Sequence, residues 1–170
     1  MKINNLPVFF RLLSIFLLPG LLLSCSSQKA SSLSTNEAIA VKDSVQLLAN
    51  NTAKDISTKG PIAWLSYFED SPDFFMASDG VIAFRDYHSG EVFIKDTLIK
   101  QIPRINLKWA NIRIDPLTPQ LATLAADFHE DLTITADKMV PVEGYFTATA
   151  HQTSKGWKYL NVHWSIKPGK

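Results

Sequence analysis

The spacing of apolar residues changes at residue 104, and this change constrains the fold more than any other feature of the sequence. Beyond it, apolar residues recur at every second position, which is typical of β-strands whose two faces differ. They fall at odd positions from Ile105 to Trp109 and at even positions from Ala110 to Ile114. A β-bulge is expected where this phase switches. Further strands are predicted over 120–134, 141–152 and 157–167, which together make a long antiparallel meander.

Residues 34–103 show helical spacing and short strands instead. Ser34 and Glu37 fit a capping box, and the apolar residues after them predict a helix from 35 to about 51. The elements that follow are a short helix opening at Gly60-Pro61, a hairpin with its turn at Asp79-Gly80, and a helix capped by Ser89 and ended by Pro103. Helices followed by an antiparallel meander predict an α+β fold. Where the helices pack over one face of a strongly bent sheet, they leave a conical cavity.

The first 25 residues have the pattern of a secretion signal. Lys2 and Arg11 precede an apolar run from Leu12 to Leu23, which is short for a membrane-spanning helix. The run ends in Leu-Leu-Ser and then Cys25, which resembles the lipobox of bacterial lipoproteins. That resemblance implies cleavage before Cys25, lipidation of its sulfur and attachment to a membrane. The predicted domains are a signal peptide over 1–24, a lipidated tether over 25–33 and one folded domain over 34–170.

The resemblance also implies an address in the bacterial cell envelope. Ser26, rather than Asp, follows the cysteine. In enterobacterial sorting this pattern resembles an outer-membrane address, with the protein on the periplasmic side.

Composition excludes several classes of protein. With 17 basic and 16 acidic side chains, the chain has no general positive field for nucleic acid. A single cysteine excludes an intramolecular disulfide and a cysteine zinc site. The four histidines lack short ligand spacing, and Glu130 and Asp131 beside His129 fit a solvated strand end, so no metal site is predicted. Phosphate-loop and dinucleotide fingerprints are absent, and no cofactor is predicted.

The last strand carries the most specific family pattern. Its sequence from Trp157 to Ser165 resembles the closing strand of the NTF2-like superfamily, in particular of SnoaL-like and DUF4440-type members. The segments Gly144–Thr149 and Phe128–Thr133 resemble the two strands before it. Tyr145 and Asn161 depart from the pattern, because arginine and histidine often stand there. The loss of that arginine weakens the case for an anionic ligand.

This resemblance implies a cone-shaped α+β fold, a pocket between helices and sheet, and frequent dimerisation through the outer sheet face. It does not imply one activity, because the fold hosts isomerases, cyclases, dehydratases and non-catalytic binding domains. On the last strand, alternation places Asn161 and His163 on one face and Val162 and Trp164 on the other. We therefore expect Tyr145, Asn161 and His163 to face the cavity.

The predicted ligand-binding residues combine this polar group with candidate apolar lining, and comprise Trp64, Tyr67, Phe84, Trp109, Phe128, Tyr145, Asn161 and His163. Ligand pockets are mostly apolar with a few polar groups. The alternative is that these aromatic residues only pack the core, and that His163 is a hydrogen-bonded structural residue. His163 is the catalytic candidate if the protein is an enzyme. The carboxylates considered with it are Asp43, Asp70, Asp73, Asp86 and Asp127, none of which stands out.

Three functions remain open from the sequence. The first is a membrane-anchored, dimeric, non-catalytic module that binds a small, largely apolar ligand. The second is a SnoaL-like acid–base enzyme acting on a small apolar substrate. The third is a structural assembly partner with a filled cavity.

Overall fold

The computed structural model describes residues 33–134 and 138–168. The predicted signal peptide, Cys25 and most of the tether lie outside these residues. The helices in chain order are α1 (Thr35–Lys59), a 3-10 helix (Pro61–Ser66), α2 (Tyr87–Phe93), a π turn (Ile94–Leu98) and α3 (Ile99–Gln101). The strands are β1 (Phe75–Ser78), β2 (Val81–Phe84), β3 (Arg104–Thr118), β4 (Leu121–Ile134), β5 (Lys138–Thr153) and β6 (Gly156–Ile166).

Helix α1 begins at the predicted capping box. The Glu37 amide donates to Ser34 Oγ at 3.3 Å, and the Ser34 amide donates to Glu37 Oε2 at 2.9 Å. The predicted end near residue 51 is wrong, because the helix continues to Lys59. Thr52 and Ile56 are fully buried and extend the apolar stripe against the sheet, so tertiary packing outweighs the weak helix propensity of two asparagines.

The region between α1 and β3 follows the predicted order with two corrections. The hairpin turn is confirmed, since Asp79 and Gly80 have φ angles of 47° and 87° as a tight turn requires. The cap of α2 is Asp86 rather than Ser89, which instead occupies the third helical position of a second capping box. The short helix after Gly60 is confirmed, as a 3-10 helix.

The six strands form one open sheet in the order β2-β1-β6-β5-β4-β3. Neighbouring strands are antiparallel except β1, which pairs with β6 in parallel. The sheet is therefore mixed rather than wholly antiparallel, because β1 of the short β1-β2 hairpin pairs in parallel with β6. Helix α1 packs on β3, and the core lies between this helix and the inner sheet face.

Two bulges set which side chains face inward. The predicted bulge in β3 is confirmed, since its register against β4 shifts after Ala110 and Asn111 has a φ angle of 51°. A second bulge, in β6, was not predicted. Thr149 pairs with Asn161 and Ala150 pairs with Tyr159, which leaves Leu160 as an extra residue. This extra residue reverses the phase of every later side chain on β6.

Candidate functional site

A cavity of about 440 Å³ lies between the helical segments and the inner sheet face. Its volume falls within the range typical of small-molecule sites. All but two of its lining residues are aliphatic or aromatic. The lining comprises Trp64, Phe68, Met76, Ser78, Ala83, Phe84, Phe93, Ile94, Leu98, Ile102, Ile105, Glu130, Leu132, Phe146, Val162 and Trp164.

Aromatic rings form one wall of this cavity, which we call the aromatic wall: Trp64, Phe68, Phe146 and Trp164. The centroid of Trp64 lies 5.4 Å from that of Phe68 and 5.6 Å from that of Trp164, and Phe146 lies 5.2 Å from Trp164. These separations are in the favourable range for stacked and edge-to-face pairs. The rings therefore hold one another in place and present an ordered apolar surface.

Glu130 is the one titratable residue that lines the cavity among the described residues. It is 7% exposed, and no hydrogen bond or ion pair joins its side chain to another described residue. Burial in apolar surroundings raises the pKa of Glu130 to about 7, because the ionised form loses hydration without gaining a partner. The carboxyl group can therefore gain or lose a proton near neutral pH.

The position of Glu130 follows from strict alternation on β4. Leu124, Ala126, Phe128 and Leu132 occupy the same phase and face inward, so Glu130 must do so too. The interpretation of Glu130 as part of a solvated strand end next to His129 is wrong, because the side chain faces inward and lines the cavity. The signal was present in the sequence as a single charged residue in phase with an apolar stripe.

No protein-family model and no curated protein matches this sequence. Solved structures match its fold across most of the chain. An NTF2-like superfamily protein from Salmonella enterica superposes with a TM-score of 0.65 at 19% identity, covering 78% of this chain and 94% of its own. The chain has the NTF2-like fold. The predicted α+β class and the resemblance to this superfamily are confirmed at the level of fold.

Other NTF2-like structures match to a similar extent. A hexachlorocyclohexane dehydrochlorinase, LinA type 2, has a TM-score of 0.65 at 11% identity and covers 79% of this chain and 90% of its own. An NTF2-like protein of unknown function from Shewanella oneidensis has a TM-score of 0.59 at 17% identity, covering 74% and 98%. At such low identity, these similarities establish the fold alone.

The predicted polar group lies on the other side of the NTF2-like sheet. Tyr145, Asn161 and His163 line a shallow groove on the outer face, and the expectation that they face the cavity is wrong. The bulge at Leu160 explains why Asn161 and His163 on β6 face outward, because it turns the alternate residues Val162 and Trp164 inward. Tyr145 faces outward because it alternates with two buried neighbours, Gly144 and Phe146.

The predicted apolar lining divides into three groups. Trp64 and Phe84 line the cavity. Phe128 is fully buried behind it, with its ring centroid 4.1 Å from that of Trp164. Trp109 and Tyr67 instead face α1, where Trp109 Nε1 donates to the Ala49 carbonyl at 2.9 Å and Tyr67 Oη donates to Asp55 Oδ2 at 2.8 Å. Burial and the Asp55 carboxylate raise the pKa of Tyr67.

The aspartates considered from the sequence are all outside the cavity lining. Asp86 caps α2 through the Ser89 amide, and Asp127 accepts a hydrogen bond from Asn111 at 2.7 Å on the outer face. Asp43 and Asp70 border shallow surface depressions, and Asp73 is exposed. The local hydrogen bonds of Asp86 lower its pKa, as is usual for a helix cap.

Two further findings concern metals and membranes. Within residues 33–134 and 138–168, no group of three or more His, Cys, Asp or Glu side chains is arranged to hold a metal ion. None of the helices in the same two ranges combines the length and apolar character needed to cross a membrane.

Proposed function

We propose that this protein is an envelope-anchored module that binds a small, largely apolar molecule in the cavity of its NTF2-like fold. The observation that carries this proposal is the cavity of about 440 Å³ with its nearly continuous apolar lining. Removing an apolar ligand from water contributes about 25 cal/mol for each Å² of surface that becomes buried. A pocket with an ordered aromatic wall can therefore hold such a ligand without many polar contacts.

Binding is tested by titrating the purified full-length chain with decanol. Trp64 and Trp164 line the cavity, so occupancy should change tryptophan fluorescence. A Leu98→Trp variant places a larger side chain in the cavity and should weaken decanol binding at least tenfold. Leu47→Trp is the matched control, because Leu47 lies exposed on α1 and should leave binding unchanged. Decanol that binds all three proteins equally, or none of them, would overturn the proposal.

Anchoring through Cys25 is supported by the sequence pattern that precedes it. Two or more acyl chains hold a protein stably at a membrane without a spanning helix. A Cys25→Ala variant should move the protein from the membrane fraction to the soluble fraction, whereas Ser27→Ala should not. An unchanged distribution of the Cys25 variant would contradict a lipid anchor.

A homodimer formed through the outer sheet face is the proposed assembly. On this face the large aromatic side chains of Phe75 and Tyr145 are both more than one third exposed. Such residues are enriched at protein interfaces. A Tyr145→Asp variant should shift the chain towards monomer in sedimentation experiments, while Leu47→Asp, at an exposed position of α1, should not.

An acid–base enzyme is the second candidate, and Glu130 is the observation that favours it. A carboxyl group with a pKa of about 7 in an apolar cavity meets the main requirement of a general base at neutral pH. Such a base would exchange the acidic C–H protons of a cavity-sized ketone with solvent. Faster deuterium uptake by a decanone with the wild-type chain than with Glu130→Gln would support the enzyme. Deuterium uptake with the wild-type chain that is no faster than in buffer alone would overturn the enzyme hypothesis.

A further inference from the structure

Within the sheet, the nearest side chains to Glu130 on the inner face are all apolar. Its partners across the strands are Leu107 on β3 and Val142 on β5, and its inward neighbours along β4 are Phe128 and Leu132. No described side chain supplies it with a hydrogen bond. Among the described residues no fully buried side-chain oxygen or nitrogen lacks a hydrogen-bond partner, so the Glu130 carboxyl oxygens open onto the cavity and can bond whatever occupies it. A ligand that hydrogen-bonds the carboxyl group would offset the cost of its burial.

The charge of the lining limits what that partner can be. Among the described residues no lysine, arginine or histidine lines the cavity, and Ser78 is the other lining residue that is neither aliphatic nor aromatic. An anionic ligand would meet a carboxylate with no cation to offset the repulsion. A cationic ligand would supply the ionic hydrogen bond that Glu130 lacks, and charge-assisted bonds of this kind are about twice as strong as neutral ones.

The cavity also places the carboxyl group at a distance from the aromatic wall. Phe146 pairs with Ala126 on β4 and with Trp164 on β6. Glu130 lies four residues further along β4, which corresponds to roughly 13 Å of extended strand. Trp164 extends the wall towards Glu130, because its ring centroid lies 4.1 Å from that of Phe128, two residues from Glu130 on β4. A ligand that lies along the wall and reaches the carboxyl group therefore has its polar group at one end of an apolar body of up to about 13 Å.

We propose that the ligand is an amphiphilic amine whose ammonium group binds the Glu130 carboxylate and whose apolar body lies along the aromatic wall. This inference rests on the proposed binding function and names the chemical class of the ligand. It assigns Glu130, which no sequence motif indicated, as the residue that determines specificity.

The pairing has a consequence for pH. The neighbouring titratable groups His129 and Asp131 on β4 and Glu143 on β5 face outward, and the cavity residues contributed by every other element are uncharged. Amine binding requires the ionised carboxylate, so affinity should fall by up to tenfold per pH unit below the pKa of about 7 and should level off above it. Binding at pH 6 should also release a proton.

Three ligands with the same alkyl chain test the proposal: decylamine, decanol and decanoate. Each is titrated into the purified full-length chain, with tryptophan fluorescence and calorimetry as readouts. We expect decylamine to bind at least tenfold more tightly than decanol, and decanoate most weakly. Glu130→Gln should abolish the preference for decylamine while retaining decanol binding. Asp131→Asn is the matched control, because it makes the same charge change at the next residue on the opposite face.

The outcomes separate this inference from the binding function itself. If decylamine and decanol bind equally, or if decanoate binds most tightly, the amine proposal is overturned while apolar binding stands. If none of the three binds, the proposed binding function fails. Should Glu130→Gln not fold by circular dichroism, proton release by the wild-type chain decides instead. Calorimetry at pH 6 in two buffers of different ionisation enthalpy measures it, and a buffer-independent enthalpy would overturn the proposal.

Discussion

The two faces of the sheet treat polar side chains in opposite ways. On the outer face, His129 Nδ1 lies 3.1 Å from Glu143 Oε1, and Asn111 Nδ2 donates to Asp127 at 2.7 Å. These pairs are solvated and contribute little to stability. On the inner face, Glu130 lies among aliphatic and aromatic side chains and has no hydrogen-bond or ion-pair partner in the part of the chain that the structure describes. A charged residue on the outer face therefore says little about function, whereas one on the inner face is costly and informative.

Of the substitutions that test the packing of the inner face, replacement of Gly144 should have the largest effect on stability. A Cβ atom there would lie 2.0 Å from the Ser165 carbonyl oxygen and 2.5 Å from the Phe128 ring. Gly144→Ala must therefore displace β6 or Phe128, and we expect a loss of about 4 kcal/mol in the free energy of unfolding, or failure to fold. Urea denaturation measures it.

Gly80→Ala is the matched control for that substitution. Gly80 has a positive φ angle but no atom within 4 Å of an added Cβ, so only backbone strain of about 1 kcal/mol is expected. Equal losses for the two variants would show that the inner face is less tightly packed at Gly144 than the structure indicates.

Replacement of Glu130 should increase stability, and the increase should depend on pH. Burial raises the pKa of the folded-state carboxyl from 4.5 to about 7, so the unfolded chain ionises first as pH rises. The contribution of Glu130 to the free energy of unfolding should therefore fall between pH 4.5 and 7, by about 3 kcal/mol in all, and stay level above pH 7. Glu130→Leu removes this penalty and should be about 3 kcal/mol more stable than wild type at pH 8.

Comparison across pH distinguishes this electrostatic effect from simple core filling. At pH 4.5 most of the advantage of Glu130→Leu should disappear, because the wild-type carboxyl is then neutral in the folded protein. Asp131→Asn should show no such change between the two pH values. An advantage of the same size at pH 4.5 and pH 8 would indicate that side-chain packing, rather than the buried charge, separates the variant from wild type.

Local signals in the sequence predicted much of the fold. The capping box at Ser34, the turn at Asp79-Gly80 and the bulge after Ala110 each depend on a few adjacent residues, and all three are confirmed. The end of α1 could not be read in this way. Ile56 lies beyond Asn50 and Asn51, which favour helix termination. Its burial against the sheet stabilises the helix past them.

The candidate site was harder to predict because it depends on the phase of two strands. A single extra residue, Leu160, decides whether His163 or Trp164 faces the cavity. The apolar residues move from odd to even positions at this point, as they do in β3, whereas the polar residues of the family pattern that follow it, such as His163, stand at odd positions. Glu130 is hard to place for a related reason, since its polar neighbours His129 and Asp131 make an inward-facing residue resemble a solvated one.

His163 should have the smallest effect of the residues considered. It is exposed on the outer face, where its strand neighbours are Thr147 on β5 and Ala77 on β1. We expect His163→Ala to change the free energy of unfolding by less than about 0.5 kcal/mol, as is usual for exposed sites, and to leave decanol and decylamine binding unchanged. The adjacent Val162 is buried and lines the cavity, so Val162→Ala should cost about 2 kcal/mol and weaken both ligands. A loss of affinity in the His163 variant as large as in the Val162 variant would mean that the outer groove, rather than the inner cavity, holds the ligand.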